Sequence, residues 1–255
     1  MLKIIRYVMA DILRSRIVFV YTLFLLAISL SIFNLEDNAA KGLLSMLNII
    51  LIIVPLVSLI FSTIYMYNSA EFIELLLSQP IRRGQLLFSM YAGVCISMLI
   101  AFSIGAALPL IVMVGTGTAY TMIIAGLTLT AIFVALAVLG SVITRDKARG
   151  IGIAILIWLY FSLFYDAILL LIMFQFGDYP LEKTMLVLCS LNPVDLARVL
   201  ILLQLDISAL MGYTGAVYQK FFGSAIGITF SLSLMLLWLA IPLWFSKRVF
   251  QRKDL

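Results

Sequence analysis

The stretch Leu43–Asn68, LLSMLNIILIIVPLVSLIFSTIYMYN, carries no charged residue, and its reading decides the fold. A helix needs roughly 20 apolar residues to cross about 30 Å of hydrocarbon. This run is long enough. It is also too long and too continuous for a barrel strand, which takes about 10 residues in strict alternation. Runs of the same character occupy Ile17–Asn34, Leu86–Val114, Tyr120–Thr144, Gly150–Phe176 and Ser224–Ser246. Six such segments predict an all-α integral membrane fold, because an isolated segment in lipid must satisfy its own backbone hydrogen bonds. The composition agrees. Of 255 residues, 64% are hydrophobic and 11% charged, with mean hydropathy +1.20; soluble domains run nearer about 45–50% apolar and about 25% charged. Residues 1–255 therefore read as a single transmembrane domain with no room for a sizeable soluble one.

The basic residues predict orientation. With six spans, one side collects Lys3, Arg6, Arg14, Arg16, Arg82, Arg83, Arg145, Lys147, Arg149, Lys247, Arg248, Arg252 and Lys253, and the other only Lys41, Lys183, Arg198 and Lys220. That asymmetry follows the positive-inside rule and places both termini and the 69–85 and 144–149 connections in the cytoplasm. The net charge of +5 reflects it, and implies attraction to anionic membrane lipid rather than to nucleic acid.

Residues 1–16 form a charged prelude, and no A-x-A-like site closes the run after it. An uncleaved first span is expected rather than a signal peptide. Within the prelude Ile4, Ile5, Val8, Ile12 and Leu13 recur at helical spacing among Lys3, Arg6, Arg14 and Arg16. That pattern predicts an amphipathic helix lying on the cytoplasmic face. No catalytic or metal-binding constellation is visible. The chain has no histidine, and Cys95 and Cys189 sit in separate segments without C-x-x-C spacing, so neither imidazole chemistry nor a metal site is expected. There is no G-x-x-x-x-G-K-[ST] to cradle nucleotide phosphates. The chain is thus a channel or scaffold, an intramembrane enzyme, or one part of a machine whose motor is another chain.

The connection Ser69–Gln85, SAEFIELLLSQPIRRGQ, predicts a short helix capped by Ser69, with Glu71 and Glu74 in its first turns. Glu71, Glu74 and Ser78 share one face, opposite Phe72, Leu75 and Leu76. Pro80 ends the helix and Gly84 permits the exit. On the other side, residues 177–223 are long for a loop. Asn192 is placed to cap a helix opened by Pro193, with Asp195 completing a box-like arrangement. Asp195 and Arg198 are i, i+3 neighbours, expected to form an exposed pair of ~0–1 kcal/mol. A seventh span there would bury both charges and reverse the C-terminal basic cluster, so a re-entrant or interfacial helical hairpin is expected. Its role is either a lid and partner platform or a cap on the outer end. Asp166 is the only acid embedded in an apolar run, YFSLFYDAILLLIMF. It is a candidate for lining a substrate path, or for a helix–helix hydrogen bond or a near-interface position. An intramembrane enzyme would need a second buried acid, and Asp178, Asp195 and Asp206 all lie outside the apolar runs.

The run Glu74–Tyr91, ELLLSQPIRRGQLLFSMY, resembles the signature of ABC-2-type transporter permeases, and Leu191–Leu200, LNPVDLARVL, resembles the NosY-type permeases of nitrous-oxide-reductase maturation transporters. The resemblance implies a type V exporter-like fold and a homodimer in the bacterial inner membrane clasping two cytoplasmic ATPase subunits. ATP and Mg would be bound by those ATPase subunits, with no cofactor on this chain. Glu71, Glu74, Gln79, Pro80, Arg82 and Arg83 would form the principal coupling element, and Arg145, Asp146, Lys147 and Arg149 a second contact. Asn192, Pro193, Asp195 and Arg198 would belong to an outer platform, facing a periplasmic accessory protein of the NosD type, and the cargo would be a sulfur species. An ABC-2 exporter of lipid, drug or polysaccharide-like cargo, or a membrane scaffold or channel uncoupled from ATP, stands as the alternative.

Overall fold

The computed structural model describes residues 1–36, 38–78, 81–176, 182–204 and 225–252. Among them, ten helices follow one another: α1 Leu2–Leu13, α2 Arg16–Leu35, α3 Ala39–Asn68, α4 Ala70–Leu77, α5 Arg83–Met113, α6 Gly117–Ile143, α7 Lys147–Gln175, α8 Glu182–Ser190, α9 Pro193–Gln204 and α10 Ala225–Arg252. Six of these, α2, α3, α5, α6, α7 and α10, are long and apolar enough to cross a membrane. They coincide with the six runs expected from hydropathy. In the long 177–223 segment α8 and α9 are described, whereas Asp178, Asp206 and Lys220 lie outside the described residues.

Burial ranks the spans. In α6, 72% of the most apolar window is buried, against 17% in each of α7 and α10. α6 is the central post, packed by α3, α5, α9 and α10, while α7 leans on α3. A helix apolar on every side suits a bundle interior, and the same composition on a peripheral helix suits lipid or a partner chain.

α1 has the expected amphipathic character and lies along α5. Val8 and Ile12 are fully buried there. Contact is close because Gly93 has no side chain; a Cβ at that position would meet Val8 Cγ1 at 2.5 Å. Two spans contain one widened π turn each, Ser103–Ala107 in α5 and Tyr160–Phe164 in α7. A widened turn loosens the regular carbonyl pairing. In both, a neighbouring side chain donates to a carbonyl of that turn: Ser29 to Gly105 O at 3.0 Å and Asn192 to Phe161 O at 2.8 Å.

Candidate functional site

Two groups of polar residues stand out against the apolar bundle, one at an end and one at mid-length. The end group hangs on the last turn of α3. α4 follows α3 after only Ser69, whose N–H still bonds Tyr65 O while its carbonyl accepts from Ile73 N–H. Because backbone pairing runs through the junction, Ser69 makes no side-chain cap, contrary to expectation. The face assignment also changes. α4 buries Ile73, with Phe72, Leu76 and Leu77 half-buried, and Leu75 is 68% exposed beside Glu71, Glu74 and Ser78. The i, i+3, i+4 set that meets the bundle is centred on Ile73, which turns Leu75 outward.

The 144–149 connection is fixed to the same place. Tyr67 donates its hydroxyl to Thr144 O at 3.1 Å, and Lys147 Nζ donates to Asn68 Oδ1 at 2.7 Å. Asp146 caps α7, accepting from the N–H groups of Ala148 and Arg149. Gly150 leaves room for the Tyr67 ring, since a Cβ there would lie 2.1 Å from the tyrosine oxygen. Glu74 and Arg145 consequently line one cavity of ≈ 410 Å³, with Tyr67, Ser141, Thr144 and Phe250. α1 braces the assembly: Tyr7 stacks on Phe72 at 5.1 Å, and Tyr65 donates to Asp11 Oδ2 at 3.1 Å.

Of the expected coupling residues, Glu71, Glu74, Arg145, Asp146, Lys147 and Arg149 gather here, while Arg82 and Arg83 open α5. Gln79 and Pro80 lie outside the described residues. Sequence reasoning missed Tyr7, Asp11, Tyr65, Tyr67 and Asn68, which tie the pieces together. The available signal is the polar-aromatic ending Tyr65-Met66-Tyr67-Asn68 of an otherwise apolar span.

The second group surrounds the turn between α8 and α9. Ser190 O accepts from Trp238 Nε1 at 3.1 Å, and Asn192 Nδ2 reaches Phe161 O. Trp238 and Phe161 lie near the midpoints of their spans and meet edge-to-face at 5.4 Å. At its far end α9 meets the start of α6, where Thr118 Oγ1 donates to Gln204 O at 3.1 Å. α9 thus runs from mid-length toward the end opposite α4. Asn192 caps it as expected, Oδ1 accepting from Val194 N–H at 2.9 Å, with Pro193 in the first helical position. The polar centre is Arg198: its Nη1 donates to Asp166 Oδ2 at 2.6 Å and to Asp195 Oδ1 at 3.1 Å.

Asn192 Nδ2 also donates to Asp195 Oδ2 at 3.0 Å. Asp195 is 3% exposed, and the side chains of Asp166 and Arg198 are each 29% exposed. The contact of Asp166 with Arg198 joins α7 to α9 as a helix–helix hydrogen bond, one of the roles open to it from the sequence. Two expectations change here. Asp195 and Arg198 are not an exposed pair, since α9 carries Asp195 into the bundle. A second buried acid does exist, because chain folding brings Asp195 to the guanidinium that Asp166 holds. Nothing in the local sequence of α7 reports a partner on α9.

Six spans, an α1 lying along the bundle, and two short connections gathered at one end make a multi-pass membrane protein. A family model described as "ABC-2 family transporter protein" matches residues 2–255, and the chain belongs to that family. It is similar to the probable ABC transporter permease protein NosY of Pseudomonas aeruginosa, with 30% identity over 180 residues. The match covers 67% of this chain and 62% of that protein, so the chain spans less than two thirds of the relative's length.

Proposed function

We propose that this chain is the permease of an ATP-driven exporter, working as a homodimer with two copies of a separate cytoplasmic ATPase, in copper-site maturation of nitrous oxide reductase. The observation that carries the coupling role is the joining of α4 and the 144–149 connection to the last turn of α3, with Glu74 and Arg145 on one cavity. A push on either piece reaches α3 and α7 together, which suits rigid-body transmission. The likeness to NosY supports the maturation role, with a sulfur species as cargo and a periplasmic accessory protein of the NosD type on the face near α9. In this reading the end bearing α4 is cytoplasmic, in keeping with the basic residues.

Co-expression with the ATPase encoded beside it tests the coupling. Alanine at Glu74, Pro80 and Arg82 together is expected to abolish co-purification; retained association overturns the assignment. The maturation role is tested by deleting the gene in its host. Loss of copper-loaded nitrous oxide reductase supports it, and normal loading favours an ABC-2 exporter of another cargo.

A further inference from the structure

Independently of the cargo, an open cleft lies between α5 and α10. Leu87, Phe88, Tyr91, Leu243 and Trp244 line an apolar groove of ≈ 170 Å³ that opens beside Gly84 and Lys247. Leu87 and Tyr91 form its buried floor, whereas Phe88 and Trp244 are about half exposed. At its mouth Lys247 and Gln251 lie across Gly84, and the Arg248 guanidinium stacks 4.3 Å from the Trp244 ring centre. Neither Lys247 nor Arg248 makes an ion pair with a carboxylate among the described residues.

An apolar slot beneath two cations, at the end of two spans, matches a molecule with an acyl chain below and a phosphate above. Basic pockets between spans bind anionic headgroups for this reason, and the aromatic rim suits the interface. We propose that this groove binds one anionic glycerophospholipid, its acyl chain against Leu87, Tyr91 and Leu243 and its phosphate on Lys247 and Arg248. A free phosphate would leave the apolar floor unused, so the ligand is the lipid.

Trp244 is a built-in reporter. The full chain with Trp158→Phe and Trp238→Phe is reconstituted with brominated phosphatidylglycerol or brominated phosphatidylcholine, and quenching of Trp244 is measured. Quenching by phosphatidylglycerol is expected at lower mole fraction. Lys247→Gln with Arg248→Gln should erase the preference, by about fivefold per charge, and Lys247→Arg with Arg248→Lys should retain it. Arg14→Gln with Arg16→Gln, at the junction of α1 and α2, should leave it unchanged. With all three tryptophans in place, native mass spectrometry should retain one phosphatidylglycerol that the double glutamine variant loses. Equal quenching by both lipids, a preference that survives the double glutamine variant, an equal loss in the junction variant, or competition by glycerol phosphate overturns the proposal.

Discussion

Arg198 is the residue on which the mid-length group depends. Two carboxylates share its Nη1, one cation between two acids in a poorly solvated place. Removing the cation leaves both acids without a counterion, and removing one acid leaves a matched pair. Breaking a fully buried pair costs about 3–5 kcal/mol, and the 29% exposure of Asp166 and Arg198 lowers that figure. Arg198→Ala is therefore expected to destabilise the protein by roughly 2 kcal/mol. Asp166→Asn, which keeps an acceptor, should change stability by about 1 kcal/mol or less. Thermal unfolding in detergent checks the order; a larger loss for Asp166→Asn would contradict it. Gly93 offers a second case. Leucine there cannot coexist with Val8 in its present position, so Gly93→Leu should detach α1 and raise its hydrogen exchange while α6 stays protected.

Among elements, α4 shows how a short helix divides between support and presentation. Ile73 is buried and Leu75 exposed. Ile73→Asp would place a charge in the bundle and lower the unfolding midpoint. Leu75→Asp should leave stability within about 0.5 kcal/mol yet weaken ATPase co-purification; unchanged association would remove α4 from the docking surface. The spans themselves are legible in the sequence because hydropathy is a property of consecutive residues. The cap at Asn192 is legible too, being local. Leu75 falls on the face opposite to its expected one because a helix of eight residues has too few turns to fix which apolar side faces in. The pairing of Asp166 with Arg198 is hidden for a different reason: it depends on how α9 folds back against α7, and no local pattern encodes that.

For the molecule as a whole, the thinly buried face of α7 poses a question that lipid alone does not answer. Leu163, Asp166 and Leu170 fall on one side of the helix at i, i+3, i+7 spacing, and Leu163 and Leu170 are 52% and 56% exposed. Partly exposed Asp166 and Arg198 would then face hydrocarbon, where a charge costs about 2.5–3.5 kcal/mol on the insertion scale. A second copy packed on α7, or a water-filled path between copies, removes that cost. The seam of the proposed homodimer is thus expected along α7 rather than along α2, whose exposed Phe19 and Val20 lie within one turn of Arg16 at the very end of the span, where a charge reaches the interface, and not beside a charge at mid-length. With Cys95 and Cys189 replaced by alanine, single cysteines at Leu163 or Leu170 should cross-link two chains in native membranes, and cysteines at Phe19 or Val20 should not. Cross-linking through α2 alone would move the seam and leave the Asp166–Arg198 pair facing lipid, which the cost of that exposure argues against.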